Sequence, residues 1–358
     1  MNSEVFSYPR AIFIIITVMR KSLPLCLSIV LLLASCGKKE EQLFKQDYLF
    51  GTTVSAYVTS PTSEQMETLF DLLEDYDALT DAYHARSIDG GTEAINNVYV
   101  LNKAENDGVT LEVDPRLAEI LQFGLDLQKA TEYQEEGETY SYFNPLIGSL
   151  SALWKEFLEG EKSGSPLPSE ETRATLVQEM NETTLVIEGN KVTRSGKGKI
   201  DVGAFAKGFA LAKAQDYLIH EGLKTYFVSG GDSSIVAGSL SNGKPYTIRM
   251  ARNDNFEINF PLSDGALGVS GVEHQHRHYL DKTYTHIVNP KNGDALTEYD
   301  TVLVTGKDAG ICDVLSTVLM IGGEKAATSL QKEYDFGYLI YDGEKIIASD
   351  KVDYVSKK

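Results

Sequence analysis

The chain has 358 residues, of which 33 are basic and 52 acidic, giving a formal net charge of −19. That balance disfavours nucleic acid and argues against binding anionic lipid by charge, so a phosphate-bearing ligand needs a local site, where a cation would help. Only three cysteines, Cys26, Cys36 and Cys312, are present, which excludes a Cys-rich zinc centre.

Residues 1–35 read as a signal segment. Arg20 and Lys21 precede an apolar run from Leu23 to Leu33, too short for a comfortable membrane span, and small residues lead to Cys36. The ending L-A-S-C is similar to the lipobox of bacterial lipoproteins, which makes Cys36 the lipidated first residue and Met19 a better start than Met1. An uncleaved anchor helix is the alternative. Cleavage before Cys36 would leave 30 basic and 51 acidic residues, a charge of −21, and Cys312 as the one cysteine able neither to carry the lipid nor to form an internal disulfide. Residues 36–45 are then a lipidated, charged tether, and 46–350 a single folded domain, long enough to bury a sizeable core.

Tyr48–Thr59 alternates and is rich in Thr, Tyr and Val, which predicts a strand. Apolar residues at helical spacing predict a helix over Ser63–Tyr83, capped by Ser63, and a second over Asp114–Glu132 with Pro115 in its first turn. The stretch 94–115, which overlaps the start of the second helix, reads as a loop and a short strand. Ser141–Phe157 passes from turn residues into a helical piece, and Gly160–Ser169 is a polar surface loop. Thr183–Gly203 contains a hairpin with a Gly-Asn turn, and Lys199–Gly222 reads as a strand running into an amphipathic helix. Strand-like segments come next at 225–240, 245–252, 266–271 and 283–290. Asp308–Tyr334 holds two helices, and Phe336–Ser349 closes as a hairpin. Helices and strands interleave without a regular βαβ beat, so the expected class is α+β with largely antiparallel sheets.

Four segments could carry chemistry. In D-V-G-A-F-A-K-G, Gly203 and Gly208 allow close backbone approach, helix-start amides favour an anion, and Lys207 adds a mobile positive charge. Asp201 could accept hydrogen bonds from a ligand, although such a turn is more often structural. In V-S-G-G-D, two glycines after a strand make either a tight turn with free amides or a plain hairpin. His286, read as lying in a strand and facing away from Ile287, could act as a base near neutral pH or be solvated. The nearby His274, His276 and His278 read as an exposed loop rather than a metal tract. Asp313 and Thr317, four apart on a helix, suit a hard cation such as Mg²⁺, although in isolation an N-terminal Asp and a Thr bonding its own backbone are the commoner arrangement.

Taken in order, these segments resemble a known family. D-V-G-A-F-A-K-G-F-A, V-S-G-G-D, H-I-V-N-P-K-N-G and C-D-V-L-S-T-V-L-M-I-G-G are similar to four motifs of the FAD:protein FMN transferases, the ApbE family. L-F-G-T-T-V-S-A-Y-V and Y-F-N-P-L-I-G-S-L-S-A-L-W resemble two more, so the similarity runs from about Phe44 to Ile347. The resemblance implies a single T-fold-related catalytic domain that binds FAD and Mg²⁺. It also implies an acceptor flavoprotein subunit whose Thr or Ser hydroxyl receives FMN while AMP leaves. By position, Asp313, Thr317 and the backbone carbonyl of Ala204 match the metal ligands. Phe50, Tyr142, Phe143, Asn144, Asp201, Lys207 and Ile287 match flavin-nucleotide contacts. His286 falls on the family's histidine, a candidate base, beside Lys207 as the other catalytic group. Phe50 stands where Met is usual, and Asn144 and Asn289 where Asp is. V-S-G-V-E-H-Q-H-R-H keeps a Ser-Gly pair but departs from the family's pattern after it. An FAD pyrophosphatase or a non-catalytic flavin-binding lipoprotein are the competing readings.

Overall fold

The computed structural model describes residues 41–357 except 89, 105–107, 161–163, 254–255 and 274. The signal segment, Cys36 and His274 lie outside the described residues.

The fold opens with a hairpin, not one strand. β1 (Gln42–Leu49) turns at Phe50–Gly51 and returns as β2 (Thr52–Thr59), with Leu49 opposite Thr52. Both turn residues have positive φ, +53° and +72°, the two-residue geometry whose twist suits a hairpin. Phe is an unusual residue there, so the alternation reads straight through the turn. The sheet also starts at Gln42, inside the stretch expected to be tether.

α1 (Ser63–Thr80) is capped by Thr62 rather than Ser63: Thr62 Oγ1 accepts the Gln65 N–H, and Gln65 Oε1 accepts the Thr62 N–H. That reciprocal pair is a capping box. Where a loop was expected, Asn97 caps a short helix, α2 (Val98–Lys103), before β3 (Val109–Glu112). α3 (Pro115–Ala130) starts at Pro115 as predicted. The hairpin β4 (Glu132–Glu135) and β5 (Glu138–Ser141) leads to α4 (Gly148–Glu159). An unforeseen polar helix, α5 (Glu170–Asn181), then precedes the expected hairpin of β6 (Thr184–Glu188) and β7 (Lys191–Ser195).

α6 (Ala206–His220) comes after a segment that is not a sheet strand. The Asn102 side chain bonds both the N–H and the C=O of Ile200 at 2.8 Å, standing in for a neighbouring strand. Next come β8 (Tyr226–Gly230), β9 (Ser234–Ala237), β10 (Tyr246–Asn253), β11 (Phe256–Leu262) and β12 (Gly265–Gly271). β13 (His276–Tyr279) and β14 (Lys282–Thr285) form a hairpin, so His276 and His278 are strand residues, still exposed, not loop residues. His286 lies just past the end of β14, outside any strand, because the chain bends there to bury Ile287. After β15 (Thr301–Gly306), the two expected helices run together as α7 (Ala309–Leu330), broken at Gly323, φ +54°. β16 (Gly337–Tyr341), β17 (Ile346–Ala348) and β18 (Val355–Lys357) finish the chain, the last beyond the expected boundary at 350.

Among the described residues, seven helices surround mostly antiparallel sheets, as an α+β class requires. The main sheet runs β1-β2-β8-β9-β12-β15-β16-β17, antiparallel throughout. It is covered on both faces. Val228, Ala266, Val302 and Val304 point to the helix side, while Phe227, Leu267 and Leu303 meet the smaller β10-β11-β18 sheet. Strands buried this way become continuous apolar runs.

The helix side is held close by glycine. A Cβ on Gly268 of β12 would lie 2.4 Å from the Cys312 carbonyl carbon and oxygen, so α7 rests directly on the strand. Cys312 itself is buried and free. No helix among the described residues is long and apolar enough to cross a membrane.

Because backbone cannot yield as a side-chain end can, Gly268→Ala is expected to cost about 1–3 kcal/mol or to prevent folding. Urea unfolding followed by the fluorescence of buried Trp154 checks this; a wild-type midpoint would show that α7 can lift from β12.

Candidate active site

A cleft of about 990 Å³ is lined by the β1–β2 hairpin and by residues of α4, α6 and α7. That is the upper end of the range for small-molecule sites. Every predicted flavin, metal and catalytic residue lines it: Phe50, Tyr142, Phe143, Asn144, Asp201, Ala204, Lys207, His286, Ile287, Asp313 and Thr317.

The buried ionisable group among these is Asp313, 6% exposed. Gly208 N–H donates to its Oδ2 at 2.8 Å, and Ser234 Oγ stands 2.9 and 2.8 Å from its two oxygens. Gly208 is required here: a Cβ would meet Ala309 O at 2.2 Å and the Asp313 carboxyl carbon at 2.7 Å. Burial pushes the Asp313 carboxyl up to about 7, against the pull of Lys207, Ser234 and Gly208. One turn on, Thr317 Oγ1 is 3.3 Å from Ser270 Oγ, which also bonds Ser316 Oγ at 2.7 Å.

Ahead of α6, Asp201 Oδ1 accepts the Gly203 N–H at 2.7 Å, and the Asp201 N–H donates to Pro145 O at 2.8 Å. These bonds fix the loop that carries Ala204 to the cleft. The aromatic wall is packed in series, with Tyr142 stacked on Tyr133 at 4.1 Å and Phe143 edge-on to Phe205 at 5.6 Å. Asn144 is buried, and its Oδ1 accepts the Leu146 N–H at 2.9 Å. At the mouth, His286 is exposed, its Nδ1 3.4 Å from Gln275 O.

The cleft presents four carboxylates, Asp201, Asp232, Glu273 and Asp313, against Lys155 and Lys207. A phosphate ligand therefore needs a cation. Asp313, Thr317 and the Ala204 carbonyl offer only oxygen donors, which fits a hard divalent ion that keeps waters and takes phosphate oxygens. Among the described residues no group of three or more His, Cys, Asp or Glu could hold a metal, so such an ion would lean on those outside ligands.

Four contributors escape a sequence reading. Ser234 is a serine in a fully buried strand and leaves no pattern. Ser270 belongs to the Ser-Gly pair of β12. Tyr83 and Lys155 both line the cleft, Lys155 Nζ lying 4.2 Å over the Tyr83 ring. The β8–β9 turn joins the wall too, with Gly231, φ +64°, against Thr52.

The sequence profile of the ApbE family matches residues 50–340. The chain belongs to the ApbE family. A protein of Vibrio cholerae named FAD:protein FMN transferase is 24% identical over 347 residues, covering 90% of this chain and 95% of that one. A protein of the same name from Rhodobacter capsulatus is 28% identical over 235 residues, 63% of this chain but 42% of the length of its relative. In fold, the ApbE protein of Thermotoga maritima superposes with a TM-score of 0.71 at 21% identity, over 87% of this chain and 97% of that one. The flavin transferase ApbE of Vibrio cholerae gives 0.67 at 21%, over 87% and 98%. This ApbE-family member thus keeps the fold end to end over the described domain.

The raised Asp313 carboxyl fixes the sign of a pH effect. Folded Asp313 holds its proton up to about pH 7, whereas unfolded it releases it near the ordinary value of about 4. The folded state binds more protons between these limits, so this group's contribution to stability falls as pH rises across them and levels off above. With the protein freed of divalent ions, the stability of wild type relative to Asp313→Asn should decline from pH 5 to pH 7.5. Urea midpoints across that range check it, and a flat difference would show that Asp313 is not held protonated.

Proposed function

We propose that this chain transfers the FMN moiety of FAD to a Thr or Ser hydroxyl of an acceptor redox protein, releasing AMP, with Mg²⁺ as its cation. One observation carries the reading: residues from five sequence-distant segments, selected for nucleotide and metal contact, line a single cleft around a buried carboxylate and a helix start. The names of the relatives support the same activity.

The acceptor oxygen forms a bond to the FMN phosphorus, the P–O bond to AMP breaks, and the hydroxyl proton passes to a base. His286, exposed at the mouth, would take that proton from a bulky acceptor. Lys207 and the α6 start face the pyrophosphate charge. Asp313, Thr317 and the Ala204 carbonyl would hold Mg²⁺, which would neutralise phosphate oxygens and stabilise the leaving AMP. Tyr142, Phe143, Phe50 and Ile287 supply apolar and stacking surface for the ring system.

Export and lipidation at Cys36 complete the proposal. With the sheet beginning at Gln42, the six peptide steps from Cys36 reach at most about 20 Å. The cleft would then work close to a membrane and on membrane redox proteins.

Purified protein, FAD, Mg²⁺ and a redox subunit bearing a candidate acceptor threonine should give that subunit the added mass of FMN, and EDTA should abolish the gain. Asp313→Ala should lose it as well, while His286→Ala slows transfer by about a hundredfold or more with FAD still bound. Full activity in Asp313→Ala would defeat the metal assignment. Free FMN and AMP with no mass gain would mean that water replaces the acceptor.

A further inference from the structure

An aromatic residue occupies a strained turn at the edge of the cleft. Phe50 has φ +53°, a conformation costly for any residue with a bulky side chain. Glycine or asparagine would fit the turn without that cost. Something outside the turn must hold it.

Asp77, in the last turns of α1, accepts the Phe50 N–H through Oδ1 at 2.6 Å. Its Oδ2 lies 3.3 Å from Arg86 Nη2, and Arg86 Nη1 is 3.3 Å from Asp81 Oδ2. Asp81 in turn uses Oδ1 to accept the N–H groups of Tyr83 at 2.7 Å and His84 at 3.0 Å. The same segment is anchored below by Asn97, fully buried, whose Nδ2 donates to Ala78 O and His84 O. The side chains of Asp77 and Asp81 are 16% and 11% exposed, that of Arg86 34%. These are charge-assisted bonds in a partly dry setting, stronger than surface ion pairs.

Phe50 and Tyr83 stand on separate chain segments, yet both line the cleft. Each backbone is tied to one of two carboxylates a single helical turn apart, and Arg86 bridges those carboxylates. We propose that Asp77, Arg86 and Asp81 are positioning residues that lock Phe50 and Tyr83 into one preformed aromatic lip for the planar ring of the bound nucleotide. The relay touches no ligand itself. It sets affinity by holding the lip before binding, which spares the ordering cost on association.

This inference rests on the reading of the cleft as an FAD site, so its test has one arm that needs FAD and one that does not. In the ligand-free protein, hydrogen exchange resolved to 48–54 and 82–88 should speed up in both segments for Asp77→Ala and Arg86→Met, while α3 and α7 keep wild-type protection. Acceleration confined to the substituted segment, or none, would overturn the relay. In the FAD arm, Asp77→Ala should weaken binding by about tenfold and Phe50→Ala by a similar factor. The double variant should be no weaker than about the poorer single, because coupled residues are not additive. Asp77→Asn, which keeps an oxygen for the Phe50 N–H, should bind within about threefold of wild type. Additive losses, or no rescue by Asn, would mean that Asp77 serves general stability instead. If wild type fails to bind FAD, the functional reading falls, and the exchange arm still decides the relay.

Discussion

The cleft depends on one contact, the bond from the Gly208 amide at the start of α6 to the Asp313 carboxylate near the start of α7. It forms only because a hydrogen atom occupies the place of a side chain: at Gly208 the two helices approach to a distance no Cβ tolerates, and at Gly268 the strand beneath does the same against Cys312. Asp313 is thereby gripped from α6, from β12 and, through Ser234, from β9. A carboxylate taken that far from water carries a large solvation cost. Two donors, Lys207 and the positive end of α6 offset part of it, and burial still prevails, as the upward shift of its proton affinity records.

From that fixed point the remaining chemistry is assigned by geometry. α6 brings Lys207 and the Asp201–Ala204 loop to one side, while α7 carries Thr317 to the other, leashed to Ser270 of β12. The main sheet sits behind as a rigid plate, since both of its faces are covered. Sites built on such elements hold their geometry better than sites on loops. The acidic surplus of the molecule makes the cleft's local character matter more, because long-range charge repels the very ligand that helix amides, Lys207 and a bound cation would receive.

Whether an element is legible in the sequence depends on the physics it obeys. α1 and α3 are plain from their helical spacing, the β6–β7 hairpin from its Gly-Asn turn, and the β16–β17 hairpin from two apolar runs on either side of Asp342–Gly343. β15 is not. Leu303 and Val304 of β15 are both buried, on opposite faces of the sheet, and no alternation survives. α5 buries only Met180, too little to print a stripe. The Phe50–Gly51 turn is hidden because strain held from outside, by Asp77, replaces the usual turn residues. For the site, glycine beside acid, lysine or histidine marks the right segments. No single segment can tell that they meet, or that a serine from β9 reaches Asp313, since contacts between distant residues leave no local pattern.

The cleft also has a direction. At its inner pole Asp313 and Ser234 are 6% and 0% exposed, and at its mouth Tyr83 is 63% exposed. Electrostatic interactions strengthen with dryness, so the inner pole is where charge on phosphate and cation is best managed. In the proposed reaction a protein acceptor would not enter that far, and its hydroxyl would meet the phosphorus from the wet side, where His286 stands. This polarity separates two demands that conflict in one place: a dry, rigid environment for the nucleotide's charge, and open access for a large second substrate. It also explains why variation at the edge, such as Phe50, is compatible with an unaltered set of Asp201, Lys207, Asp313 and Thr317. The edge shapes what is held and admitted, while the inner set answers to the charge of a pyrophosphate, which does not change.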